Sequence, residues 1–205
     1  MGLFNDESSH GLGRTLCAWS LPGVVIAVSA ALALAGDRGR YWLRFDRAAI
    51  AAGELWRLLS GHFVHLSWSH FALNAMGLLL VCYLVGARFT ALQWISISLL
   101  TIAGIDLGFW LWEPQLASYV GLSGLLHGIL AAGIVAGLRL QHREAYLLGA
   151  VVVAKLAYEQ LIGPMPGSEQ STGGAVIVAA HLYGALTGAV AGAVVPIRVG
   201  PPAPL

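Results

Sequence analysis

The sequence predicts an all-α protein that crosses a lipid bilayer several times. Of its 205 residues, 58% are hydrophobic and only 10% are charged, and the mean hydropathy is +0.76. Soluble domains carry about 25% charged residues, so this chain has too little polar surface to remain in water. Several apolar stretches also approach the roughly 20 residues that an α-helix needs to cross the hydrocarbon core.

Six apolar stretches are candidates for membrane spans. They lie at about residues 18–36, 69–86, 91–112, 122–138, 144–162 and 174–195. Together they predict a six-helix transmembrane domain over residues 18–195, preceded by a cytoplasmic N-terminal segment, residues 1–17. Residues 196–205 end in the proline-rich VGPPAPL and are predicted to be a disordered tail.

The stretch between the first two spans, residues 37–68, has a different composition. It combines five arginines with Tyr, Trp and Phe, which predicts an amphipathic element at the membrane interface and not a flexible linker. Five more arginines lie outside it, so a raw count does not orient the chain: Arg14, Arg88, Arg139, Arg143 and Arg198. If the first loop is a folded interfacial element, the remaining charges place both termini in the cytoplasm.

Charge and cysteine content exclude several classes of function. The net charge of +1 offers no basic field for nucleic acid. The two cysteines, Cys17 and Cys82, lie in separate apolar stretches, which favours small buried side chains over a disulfide framework or a metal cluster. Many of the 26 glycines are spaced four apart, as in Gly184, Gly188 and Gly192, and this spacing lets helices pack closely in lipid.

A serine and a histidine stand out among the apolar residues. Ser123 is bracketed by Gly121 and Gly124 at the start of the fourth span, and His181 lies about seven residues into the sixth, roughly 10 Å below its start. A histidine near neutral pH can activate a serine hydroxyl for nucleophilic attack. The two can meet only if the fourth helix begins below the membrane surface, which the preceding ASYVG permits. Alone, G-x-S-G is also compatible with a small residue in a packed helix.

Other polar residues in the spans need an explanation, because ionisable groups in a membrane are costly. His70 and Asn74 are four apart and share one helix face, where they could hold an oxyanion or make hydrogen bonds within the core. Lys155 and Glu159 are also four apart, which favours a mutually neutralised pair over catalysis. Asp106 has no partner that the sequence identifies.

Taken in order, these motifs resemble the rhomboid intramembrane serine proteases. The resemblance covers residues 18 to 195 and is carried by ELWRLLSGHFVHLSWSHFALN, the G-x-S-G at the fourth helix and AHLYGALTG in the sixth. It implies a six-helix bundle with a membrane-embedded first loop. It also implies Ser123 as nucleophile, His181 as general base, and His70 and Asn74 as the oxyanion pair. Trp56, Arg57 and His65 match structural residues of the family's first loop.

One position departs from the wider family. Many rhomboids carry a tyrosine four residues after the serine, where it stacks on the catalytic histidine, and this chain has His127 there. The string GLSGLLHG is similar to that of the rhombosortases, a bacterial subfamily paired with proteins that bear a C-terminal GlyGly-CTERM sorting tag. The resemblance implies membrane-anchored substrates with such a tag and a multi-pass location in the bacterial inner membrane. We expect His127 to stack on His181 or position it, together with Gly121 and Gly124 around the serine.

The sequence therefore predicts an intramembrane serine endopeptidase with a Ser123–His181 dyad and no cofactor. No Asp or Glu is obviously placed to orient His181 as a triad would require. Two alternatives come from other classes. The histidines His62, His65 and His70 could bind haem or a metal ion, or the chain could be a rhomboid-like pseudoprotease that binds membrane clients, although retention of both Ser123 and His181 argues against that.

Overall fold

A computed structural model of the chain describes residues 7–196, with side chains described for residues 20–86 and 88–196. The described part is mainly helical and contains one short pair of strands. The helices are α1 (Glu7–Leu34), α2 (Gly36–Leu43), α3 (Arg47–Ala51), α4 (Arg57–Ser60), α5 (Trp68–Val85), α6 (Ala91–Trp112), α7 (Ser123–Arg139), α8 (Arg143–Leu161), α9 (Ser168–Thr172) and α10 (Val178–Val194). The strands are β1 (Phe45–Asp46) and β2 (Ser118–Tyr119).

Each predicted span coincides with a helix, but the helices differ in how well they suit a membrane. Within the described residues, α5 and α6 are long and apolar enough to cross a bilayer alone, and residues 20–34 of α1 with α2 form a third candidate bent by 115°. Helices α7 and α10 are apolar but have only 17 residues each, and α8 carries four charged residues. The membrane character of the chain is thus supported, and the number of six spans stays a prediction.

Two helices begin at other residues than the apolar stretches do. Helix α1 begins at Glu7, ahead of the first apolar stretch, and the cytoplasmic N-terminal segment stays a prediction. Helix α10 begins at Val178 and not near residue 174, because Gly173 ends α9 in the left-handed conformation with φ of 81° and the chain then stays non-helical to Ile177. His181 consequently lies in the first turn of α10 and not seven residues into it.

Side-chain caps fix where α5 and α6, the two helices that can each span a bilayer alone within the described residues, begin. The Ser67 hydroxyl accepts the backbone N–H of His70 at 3.1 Å and starts α5. Thr90 and Gln93 form a reciprocal capping box at the start of α6, which satisfies two backbone groups that a helix N-terminus leaves without partners. The cap at Ser67 fixes the first turn of α5 and so determines which face of the helix carries His70 and Asn74.

The first loop is a folded element, as its composition predicts. Strand β1 pairs antiparallel with β2, with Phe45 opposite Tyr119. Arg47 closes the end of α6 by donating to the carbonyls of Glu113 at 2.8 Å and Leu116 at 3.0 Å. These bonds attach the first loop to the segment that leads into Ser123.

Arg57 holds the first loop together from inside. Its guanidinium is 3% exposed and donates to the Glu54 carboxylate at 2.6 Å and to the carbonyls of Tyr41 and Arg44 at 2.8 and 3.1 Å. A buried guanidinium is tolerated because its donors are paired. Trp56 differs, since it is 51% exposed and its indole N–H donates to the Trp42 carbonyl at 3.4 Å.

Helices α7 and α10 pack backbone to backbone through the predicted small residues. A side chain at Gly184, Gly188 or Gly192 would collide with a backbone carbonyl of α7, at Gly124, Gly128 and Ala132 respectively. These contacts recur every four residues, the spacing at which one helix face returns. This close packing brings the N-terminal turns of α7 and α10 together, and with them Ser123 and His181.

Large apolar side chains cover much of the outer surface of the helices. Leu80, Tyr83, Leu92, Leu147 and Val190 are more than half exposed. Soluble monomers rarely expose large contiguous apolar patches, whereas such a surface suits lipid. The chain is therefore a membrane protein by its surface as well as by its composition.

Candidate active site

Ser123 and His181 are in direct contact. The Ser123 hydroxyl donates to Nε2 of His181 at 2.9 Å. Ser123 is the first residue of α7, and His181 is in the first turn of α10 and 5% exposed. The contact is possible because both residues lie in the first turns of their helices, which begin after Gly121 and after the non-helical stretch that follows Gly173. This is the nucleophile–base geometry that activates a serine.

His181 has a second partner that the sequence did not indicate. Its Nδ1–H donates to Oε2 of Glu159 at 2.9 Å, and the other carboxylate oxygen, Oε1, is 2.7 Å from the Lys155 ammonium. The predicted Lys155–Glu159 pair is present, and its carboxylate also contacts His181, although no acidic residue was obviously placed for this in the sequence. Spacing along α8 revealed the pair within the helix and could not reveal the contact with α10.

His127 lies against the base. Its ring is parallel to that of His181 within 20°, with the ring centroids 4.2 Å apart. Its Nδ1–H donates to the Ser123 carbonyl at 2.7 Å, one turn back along α7, which fixes the orientation of the ring. The arrangement is the stacked one that was predicted, and its contribution to activity stays a prediction.

His70 and Asn74 face the same space as Ser123. Both are buried on α5, at 7% and 5% exposure. The backbone N–H of Leu66 donates to Nδ1 of His70 at 3.3 Å, so a neutral ring carries its proton on Nε2 and can donate it. Asn74 uses one amide hydrogen for the His70 carbonyl at 3.2 Å and keeps the other. Two donors are therefore available for an oxyanion.

Gly121 and Gly124 are required as glycines by their surroundings. Gly121 has a φ of 128°, and a Cβ there would lie 2.9 Å from Cε1 of the His70 ring. A Cβ on Gly124 would lie 3.0 Å from the carbonyl oxygen of Ala180, the residue before His181. The first glycine lets His70 approach the turn before Ser123, and the second lets α10 approach α7.

Tyr119 supports the turn before the serine and was not singled out by the sequence. Its hydroxyl donates to the Gly121 carbonyl at 2.6 Å. Burial raises the pKa of Tyr119, so the phenol keeps its proton and remains a hydrogen-bond donor. Its place on β2, opposite Phe45, links the first loop to the backbone beside the nucleophile.

Ser123, His181, His127, His70 and Asn74 line one partly open cavity of about 290 Å³. Helices α5, α7, α8 and α10 form its walls, together with Tyr119 and Val120 and the connection from α8 to α10. The lining side chains from that connection are Met165, Ser168, Thr172, Ala175, Val176 and Ile177. Ser67 attaches the connection to the start of α5 by donating to the Thr172 carbonyl at 2.8 Å.

The remaining histidines of the first loop serve as packing groups. His65 is 5% exposed and meets His70 edge to face, with the ring centroids 5.0 Å apart. Burial lowers the pKa of His65 to about 3, so its ring is neutral. His62 is fully buried, and its Nε2 is 3.2 Å from Oδ1 of Asp106. Asp106 therefore has its partner in the first loop, which attaches that loop to α6.

The geometry does not favour a metal site among the described residues. His127, Glu159 and His181 are the three side chains whose ligand atoms come within 4.8 Å of one another. Because the two imidazole rings are stacked, their in-plane lone pairs run side by side and do not converge on one point. The alternative set of His62, His65 and His70 does not form such a cluster within the side chains described.

A profile of the Rhomboid domain matches residues 52–198. The chain belongs to the rhomboid family. The match covers more than half of the sequence and includes Ser123, His181, His70 and Asn74. A comparison with curated protein sequences found no significant match. Rhomboids are typically intramembrane serine proteases, and this membership accounts for a serine–histidine pair inside a chain with an apolar exterior.

Proposed function

We propose that this rhomboid is an intramembrane serine endopeptidase in which Ser123 is the nucleophile and His181 the general base. The observation that carries the proposal is the hydrogen bond of 2.9 Å from the Ser123 hydroxyl to Nε2 of His181, inside a cavity that also holds two side-chain donors. A pseudoprotease would have no need for this bond. The geometry of serine and base, more than the sequence motif, identifies such sites.

The reaction follows from these contacts. As Ser123 Oγ attacks the scissile carbonyl carbon, its proton passes to Nε2 of His181. His70, Asn74 and the backbone N–H of Ser123, which has no acceptor within its own helix, stabilise the negative oxygen of the tetrahedral intermediate. His181 then gives the proton to the leaving amine and the C–N bond breaks. Water completes the cycle by attacking the acyl-enzyme while His181 accepts and returns a proton.

The site is suited to work below the membrane surface. Helices α7 and α10 have 17 residues each, which at 1.5 Å per residue is about 25 Å, shorter than the roughly 30 Å of the hydrocarbon core. Helices that begin below the surface would leave their N-terminal turns in an enclosed cavity. We propose a location in the bacterial inner membrane with both termini in the cytoplasm, as the loop charges favour.

We further propose that the substrates are membrane-anchored proteins with a C-terminal, glycine-containing tag of the rhombosortase type. The GLSGLLHG string supports this subfamily, and the cavity of about 290 Å³ lies just below the range of about 300–1,000 Å³ for ligand sites. Glycine fits such a site and destabilises a helix, so a glycine pair would enter as an extended segment.

Cleavage of a tagged substrate tests the proposal directly. The chain is co-expressed with a secreted protein that carries a GlyGly-CTERM tag, and the new C-terminus is measured by mass spectrometry. Wild type should remove the tag, whereas Ser123→Ala and His181→Ala should not, and a fluorophosphonate probe should label only wild type. Ser96→Ala, on α6 outside the cavity, is the matched control and should retain both activities.

The outcomes separate the levels of the proposal. Tag removal by Ser123→Ala would refute Ser123 as nucleophile. Probe labelling of wild type without cleavage of the tag, but with cleavage of another transmembrane segment, would refute only the tag. A free carboxylate at the new C-terminus indicates transfer to water, and an added amine indicates transfer to another acceptor.

A further inference from the structure

The least expected contact in the site is a buried carboxylate on the far side of the base. Glu159 is 2% exposed, and burying a carboxylate costs several kcal/mol unless it is paired. Its two oxygens have different partners, Lys155 on the same helix and His181 on α10. A pair whose purpose was only to stabilise α8 would be satisfied by Lys155 alone, so the bond to His181 calls for its own explanation.

We propose that Glu159 is a positioning residue that completes a Ser123–His181–Glu159 triad, and that Lys155 balances its charge. This proposal rests on the proposed protease function. Because Nδ1–H of His181 is held by Glu159, the Nε2 lone pair is the one presented to the serine hydroxyl. The carboxylate also stabilises the imidazolium that forms when His181 takes the proton of Ser123. No atom is exchanged with Glu159, which acts only through the base.

Lys155 makes this arrangement adjustable. It is the only lysine of the chain, its side chain is 32% exposed, and it borders the cavity. Its ammonium offsets part of the electrostatic effect that the Glu159 carboxylate has on His181. An unpaired carboxylate would favour the imidazolium, which cannot act as a base, whereas a neutral residue at 159 would not support the imidazolium in the transition state. The pair of charges therefore supports the protonation of His181 in the transition state without leaving an unpaired carboxylate beside it.

The pH dependence of activity distinguishes this role from a structural one. The charged or titratable groups that face His181 are His70 on α5, His127 on α7, and Lys155 and Glu159 on α8. Activity on the acid side requires neutral His181. Removing the negative charge with Glu159→Gln disfavours the imidazolium and should move the acid-side midpoint to lower pH. Removing the positive charge with Lys155→Met favours the imidazolium and should move that midpoint to higher pH.

The experiment measures the rate of fluorophosphonate labelling and of substrate cleavage against pH, with thermal unfolding in detergent as the measure of folding. Glu159→Gln should lower kcat/KM by about 10–100-fold, the value of one charge-assisted hydrogen bond, with KM little changed. Glu144→Gln makes the same chemical change on the same helix at an exposed site and should leave rate and midpoint at wild-type values.

The double variant Lys155→Met/Glu159→Gln covers the case in which a single variant fails to fold. It leaves no unpaired charge in the interior, so it should unfold near the wild-type temperature and still show the low activity of Glu159→Gln. Opposite shifts of the acid-side midpoint in the two single variants support the triad. Unchanged rates and midpoints in a wild-type background that labels and cleaves would overturn it and leave the proposed protease intact, whereas an inactive, unlabelled wild type would overturn the protease itself.

Discussion

Adding one methyl group at Gly184 should separate Ser123 from His181. A Cβ at Gly184 would collide with the backbone carbonyl of Gly124, the residue after Ser123, and would also lie 3.4 Å from Cδ1 of Ile105. The obstacle is backbone and not the end of a flexible side chain, so α7 and α10 must move apart. Overpacking of this kind costs about 1–3 kcal/mol of stability.

The loss of activity should exceed the loss of stability. Relief of the collision requires a separation of about 1 Å at the level of the bond between Ser123 and His181, and a misplacement of that size can cost about 100-fold in rate. Gly188→Ala makes the equivalent collision with Gly128 one turn further along α10. It should destabilise the protein to a similar extent while lowering the rate less, because the separation lies further from the reacting atoms.

The assay is thermal unfolding in detergent together with the rate of fluorophosphonate labelling. Gly23→Ala is the matched control, because a Cβ at Gly23 meets nothing within 4 Å, and it should match wild type in both measurements. Gly184→Ala with a wild-type labelling rate and unfolding temperature would refute the claim that glycine contacts set the distance between serine and histidine.

Two further predictions concern residues that hold the site in place. His127→Tyr should keep substantial activity if stacking on His181 is the role of His127, while His127→Ala should lose part of the rate. Asn74→Ala should lower the rate by about 10²–10³-fold. A His127→Tyr variant slower than Asn74→Ala would make His127 a participant in proton transfer. Arg57→Lys should lower the free energy of unfolding by about 1–3 kcal/mol, measured by denaturation in detergent, because the single nitrogen of lysine cannot occupy both the Nε and the Nη1 positions from which the guanidinium donates. A stability equal to wild type would show that the first loop is held by other contacts.

The sequence predicted the helices well where one local signal dominates. Hydropathy located α5 and α6, and caps such as Ser67 explain why their starts were close to the prediction. The start of α10 was placed too early because apolar residues at 175–177 continue the hydrophobic run, although Gly173 has already turned the chain. Hydropathy reports burial or lipid contact and does not report backbone conformation.

For the candidate site, too, the sequence predicted groupings within one helix and missed contacts between helices. Residues that share one helix face, such as His70 with Asn74, could be grouped from spacing alone. Contacts between helices could not, because spacing carries no information on which face meets which neighbour. Asp106 with His62 and Tyr119 with the Gly121 carbonyl are contacts of that kind, and each joins the first loop or its paired strand to a helix.

Helix α8 is less apolar than the other predicted spans because part of the candidate site lies on it. Its apolar character is weaker than that of α5 and α6 because it carries four charged residues, of which Lys155 and Glu159 lie well inside the helix. In lipid such charges are tolerated when they face the interior and neutralise one another, and here the carboxylate is buried while its helix keeps an apolar outer face that includes Leu147 and Val151. Two of the residues that weaken the signal of a span thus form the ion pair whose carboxylate contacts His181. A charged pair spaced four residues apart in an otherwise apolar helix therefore predicts a third partner on another helix. Here that partner is His181 on α10.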